Sequence, residues 1–98
     1  MTFGQKSNHK KIDSINNLPF EVRLKDAAIL DKVYLKNAEE SAKIHYDLGE
    51  AKSYSNLSLV YYYQGKYEKD LAYSLKAIHI FEKLNDLENL SLEWGELG

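Results

Sequence analysis

The feature that most restricts the fold of this chain is internal repetition. Displaced by 40 residues, the chain lays Tyr54 on Trp94, Leu57 on Leu97 and Ser58 on Gly98. Displaced by 36, it lays Ile44 on Ile80, Leu48 on Leu84 and Glu50 on Asp86. A period of this length marks a supersecondary unit that buries its apolar face against its neighbours. The two spacings differ by about one helical turn, so the later connection or helix is expected to be one turn longer.

The repeating unit reads as helical. No Gly or Pro occurs between Asp26 and Leu48. Over that stretch Leu30, Val33, Tyr34, Asn37, Ala38, Ser41, Ala42 and His45 recur at three- and four-residue steps. That predicts one long amphipathic helix over 26–48, with Asp26 as N-cap and Gly49 as the left-handed residue that ends it. A second helix is expected over 50–64, with Ala51, Tyr54, Leu57, Ser58 and Tyr61 on its buried stripe. Gln64-Gly65-Lys66 makes a turn. A third helix over 67–84 carries Leu71, Ser74, Leu75, Ala77, Ile78 and Phe81 as core candidates. Asn85-Asp86 breaks it, Asp86 caps a fourth, and that helix runs from Leu87 to Gly98. Leu59–Tyr63 has strong β-propensity, but the surrounding 3.6-residue period outweighs it. The fold class is all-α, built from antiparallel helical hairpins.

Residues 1–25 are different. Residues 1–9 are polar and aperiodic and read as a loose leader, with a short helical turn over Lys10–Leu18. Pro19 stops that turn by forcing Leu18 out of the α region. The segment then stays extended or turn-like to Lys25. The expected organisation is therefore a polar leader over 1–25 and a helical domain over 26–98.

Composition excludes several functions. The 98 residues contain no cysteine, so disulfides, thiol catalysis and thiolate metal sites are out. Their formal net charge is −2, with 13 Lys+Arg against 15 Asp+Glu, and Arg23 is the single arginine. Neither the balance nor the lysine bias suits a nucleic-acid module. No run approaches the roughly 20 apolar residues of a membrane span, and no apolar segment after Met1 resembles a signal peptide. The default location is then the cytoplasm, with an extracytoplasmic one open if a signal was trimmed. His9, His45 and His79 lack the i,i+4 spacing of a ligand pair. Glu39-Glu40 and Glu68-Lys69-Asp70 are solvated faces, and no phosphate loop, nucleophile elbow or His-Glu-x-x-His is present. No catalytic residue, metal or cofactor is expected. A weak, salt-sensitive affinity for nucleic acid through Lys6, Lys10 and Lys11 stays open. Those lysines make the first eleven residues basic, whereas 82–98 are acidic, a polarity that permits head-to-tail attraction between copies.

Tyr54, Leu57, Ser58, Tyr61, Gly65, Tyr67 and Ala77 together resemble the tetratricopeptide (TPR) repeat. In that pattern an aromatic is followed by Leu, a small residue, Tyr, a turn Gly, Tyr, and a small residue in the second helix. Trp94, Leu97 and Gly98 resemble the opening of a next repeat, and Ala38–Leu48 the second helix of a preceding one. The resemblance covers residues 26–98, with one full repeat at 50–84 and the start of another at 87–98. It departs from the family at Asp70, where Ala is usual, and after the third helix, where the usual Pro is missing. The Asp70 carboxylate is expected to find a donor or to loosen its contact.

The resemblance implies a TPR-like α-solenoid fragment whose first helices line a concave groove. It turns Lys52, Ser55, Asn56, Leu59, Tyr62 and Tyr63 toward that groove, to hold a peptide or protein segment. Leu59, Tyr62 and Tyr63 lie off the Tyr54/Leu57/Tyr61 stripe, and the competing expectation is that another helix covers them. Lys52 with Asn56 also resembles half of a clamp for a peptide's terminal carboxylate, although no second helix supplies the rest. Of the eight tyrosines, Tyr34, Tyr54, Tyr61 and Tyr67 are assigned to packing. Leu90, Trp94 and Leu97 lack a covering helix, which leaves self-association into a homodimer open beside the scaffold reading. A third possibility is that the chain is the input part of a larger bacterial signalling protein. A small enzyme is the least supported reading.

Overall fold

In a computed structural model, the structure describes residues 2–18 and 27–97, with side chains described for 9–18 and 29–94. Five α-helices and no strand occur among the described residues: α1 Thr2–Asn16, α2 Ala27–Lys43, α3 Asp47–Tyr63, α4 Tyr67–Lys83 and α5 Leu87–Leu97. Pro19, Arg23 and the expected cap Asp26 lie outside the described residues.

Three turns of one design set the architecture. Tyr46 N donates to Ser41 O and His45 N to Ala42 O; Lys66 N donates to Tyr61 O and Gly65 N to Tyr62 O; Asp86 N donates to Phe81 O and Asn85 N to Glu82 O. Each pair is a Schellman closure, and it requires a left-handed residue at its centre. That residue is His45 (φ 57°), Gly65 (φ 74°) or Asn85 (φ 56°). The residue that closes one helix also opens the next, because Tyr46 O, Lys66 O and Asp86 O accept from the amides of Glu50, Asp70 and Leu90. So short a connection makes neighbouring helices antiparallel. Only Asp86 adds a side-chain cap, its carboxylate accepting from Asn89 N at 3.2 Å and Asn89 Nδ2 at 2.7 Å.

These turns correct three expectations. α2 stops at Lys43, because its left-handed terminator is His45 and not Gly49. Gly49 is buried inside the first turn of α3, which therefore starts at Asp47 and not at residue 50. The spacing of 36 does not mark a lengthened unit, since the left-handed residues stand at equal steps along the chain.

The core has two parts. Leu30, Tyr34, Leu57, Val60 and Tyr61 join α2 to α3, with Val33 and Tyr73 packed against them. Ala51, Ala77 and Phe81 join α3 to α4, with Tyr54, Ile80 and Leu90 at their edge. Ala38, Ser41, Ser58, Ser74 and Ala77 are buried as close-approach positions. Ala42 and His45, expected on the buried stripe, are exposed. So are Leu71 and Leu75, at 50% and 48%, because no described helix covers that side of α4. Tyr67 is 64% exposed, so it does not pack as expected. Tyr73 takes that role, stacking on Tyr61 with centroids 5.7 Å apart and lying 5.8 Å from Tyr54.

Residues 2–16 form a helix where a loose leader and a short turn were expected. Its own sequence lacks a broad apolar stripe, and tertiary contacts hold it. Ile12 and Asn16 are buried against α2 and α3, and the His9 ring stacks on Tyr46 at 3.8 Å.

Candidate protein-binding surface

α1 docks through a buried polar network. Asn37 Nδ2 donates to Ser53 Oγ at 2.9 Å and to Ile12 O at 3.2 Å. Asn16 Nδ2 donates to Gly49 O, and Ser53 Oγ donates its one proton to Gly49 O at 2.8 Å, with Asn16 Oδ1 at 3.2 Å as the alternative acceptor. Satisfied groups of this kind specify one arrangement, because breaking any bond strands a buried partner. Gly49 makes room for the contact. A Cβ there would lie 2.5 Å from Tyr46 Cδ2 and 2.9 Å from Ile12 Cγ2.

The six residues expected to line the groove do not act as one face. Successive residues of α3 turn by about 100°. Gly49, Ser53 and Asn56 point to α1, where Asn56 Nδ2 donates to Asn16 O at 3.1 Å. Leu57 and Val60 point to α2, while Tyr54 and Tyr61 meet Tyr73 of α4. Ser55 points to α5 and donates to Glu93 Oε1. Between the α1 side and the α5 side lies an open arc holding Lys52, Leu59 and Tyr63. Asn56 and Ser55 thus form its walls. Tyr62 sits beyond it at the end of the helix, edge-on to Tyr63 at 5.5 Å and to Tyr67 at 5.8 Å. Tyr62 and Tyr63 are 51% and 48% exposed, so each presents a ring to solvent.

Electrostatics differ between the two flanks. Beside α1, burial and the bond to Asp13 push the Tyr46 phenol up to about 12. On the α4 side, burial and the bond to Glu50 do the same for Tyr54, again to about 12. Both phenols therefore stay protonated donors through the neutral range. On α5, Glu93 is 2% exposed and its Oε2 has no hydrogen-bond partner among the described residues. Burial raises its pKa, Ser55 lowers it, and the nearby Asp70 raises it further. Burial raises Asp70 as well, against the lowering effect of its Ser74 hydrogen bond. Asp70 does find a donor, accepting from Ser74 Oγ at 3.3 Å.

The sequence reading missed the Asn16–Asn37–Ser53 network and Glu93. Glu93 had a signal, because it shares the inner stripe of α5 with Leu90. Of the residues assigned to self-association, Leu90 is half-buried against the α3–α4 core and Trp94 is 56% exposed. The Leu97 side chain lies outside the described residues. Among the described residues no cluster of three or more acids and histidines suits a metal ion. No described helix is long and apolar enough to cross a membrane. Comparison with protein-family models, curated proteins and solved structures finds no match to this chain.

Proposed function

We propose that this chain is a non-catalytic helical scaffold of the TPR type, which holds a segment of another protein along α3. The observation that carries this reading is the open arc of Lys52, Leu59 and Tyr63, walled by α1 and α5 and ending at the Tyr62–Tyr63 pair. α1, α3 and α5 then form the inner layer of a solenoid, and α2 and α4 the outer one. Exposed tyrosines suit such a surface: the rings bury area at little entropic cost, and the hydroxyls bond a peptide backbone. Ser55 and Asn56 hold the walls, so the contacts come from Lys52, Leu59, Tyr62 and Tyr63.

Panning a phage-displayed random peptide library tests this reading. Wild type should enrich a consensus that Tyr62→Ala/Tyr63→Ala binds at least about tenfold more weakly, with unchanged far-UV circular dichroism. Equal binding by the double variant, or no enrichment at all, overturns it.

A second reading, self-association through α5, is favoured by one observation. Shifted by one 40-residue unit, Ala51 and Tyr54 of α3 correspond to Ser91 and Trp94 of α5. α4 covers the first pair, and no described helix covers the second.

A further inference from the structure

The acceptor for that uncovered face lies at the other end of the fold. α1 and α2 diverge over a groove of about 300 Å³ floored by Ile12, Ile15, Val33 and Ile44. Lys11 and Lys36 stand on its rim beside Glu40. Leu30 and Tyr34, on the neighbouring face of α2, make the α3 contact, and Val33 lies at the border between the two faces. α5 is its complement. Leu87 and Trp94, two turns apart on one face of α5, are 70% and 56% exposed, an apolar surface with room for a partner. Among the described side chains α5 exposes Glu88 and no cation, whereas α1 exposes Lys10 and Lys11. One surface is an aliphatic cleft with basic residues, the other an aromatic and aliphatic ridge beside the acidic Glu88.

We propose that the occupant of the α1–α2 groove is α5 of a second copy of this chain, with Trp94 as the anchor in the cleft. This rests on the self-association reading and replaces its symmetric dimer with a head-to-tail contact. The two surfaces differ, so each copy keeps one free groove and one free ridge after pairing. Association of this type gives open chains unless the rotation closes a ring. Charge steers the encounter and is screened by salt, while Trp94 supplies the contact that holds.

Light scattering after size exclusion tests the proposal with two variants. Trp94→Ser removes the ridge. Val33→Lys places a charge in the cleft while its stem stays against apolar neighbours, and Ile44→Lys replaces it should the helical content of Val33→Lys fall. Wild type should grow in mass with concentration beyond twice the 11.3 kDa protomer. Each variant alone should stay monomeric, its association weakened about tenfold or more. An equimolar mixture of the two should form a one-to-one dimer, because one intact groove meets one intact ridge. A monomeric mixture, a groove variant that associates like wild type, or a wild type that is monomeric at every concentration overturns the proposal. Tyr62→Ala/Tyr63→Ala should associate normally, which separates failure here from failure of the peptide-binding reading.

Discussion

His45, Gly65 and Asn85 occupy one conformation with three different side chains, and the conformation charges each differently. A left-handed residue with a Cβ costs about 1–2 kcal/mol, partly offset by the greater backbone entropy glycine loses on folding. Nothing lies within 4 Å of a Cβ added at Gly65, so the cost of Gly65→Ala is conformational alone. That variant should lose about 1 kcal/mol, and His45→Gly should gain a similar amount. Each change moves the melting temperature by roughly 4–8 °C in a domain of this size. Glu93 supplies a pH dependence. Its carboxyl would titrate near 4.5 in the unfolded chain and does so at higher pH when folded. The native state therefore holds the proton longer, and stability falls as pH rises from about 4.5 through the raised value. Glu93→Gln should melt above wild type at pH 7.5, and the gap should shrink toward pH 4.5. Parallel melting curves at both pH values would refute the assignment.

At the scale of elements, α2 to α5 were largely legible, and α2, α3 and α4 each close on a residue with φ above zero. The boundary at Gly49 was misplaced because glycine signals both a terminator and a close approach, and only the contacts with Tyr46 and Ile12 tell them apart. α1 was not legible. Its anchors are Asn16 and His9, whose partners lie more than thirty residues away in α3 and its turn, and Ile12, which accepts from Asn37 of α2, 25 residues away. Leu71 and Leu75 fit the helical period yet remain exposed, since periodicity finds a stripe and not the helix that covers it. The surface itself was half legible. Lys52, Leu59, Tyr62 and Tyr63 stay accessible, but Ser55 and Asn56 bond neighbouring helices that α3 alone cannot reveal. Gly49→Ala should expel α1, because the new methyl meets the Tyr46 ring and Ile12. Hydrogen exchange of residues 9–16 should then accelerate at least about tenfold, while α3 and α4 keep their protection.

For the whole molecule, the α2–α3 and α3–α4 contacts are extensive and local, whereas α1 rests on the network around Ser53 and α5 on Leu90 and Glu93. Stability is accordingly concentrated in the middle of the chain, and both ends open first. The surface ion pair between Lys83 and Asp47, at 3.5 Å, adds little to that centre. The three like turns carry a consequence for size. Each of these three connections is closed by backbone bonds and one left-handed residue, so the join after Asp86 has the same geometry as the join after Tyr46. Length is therefore quantised, and the chain can grow by whole hairpins without redesigning a loop. A tandem copy of residues 47–86 inserted after Asp86 should fold as one cooperative body that melts above the parent. An insertion twenty residues long should instead reverse the direction of α5 and turn Trp94 to the opposite layer.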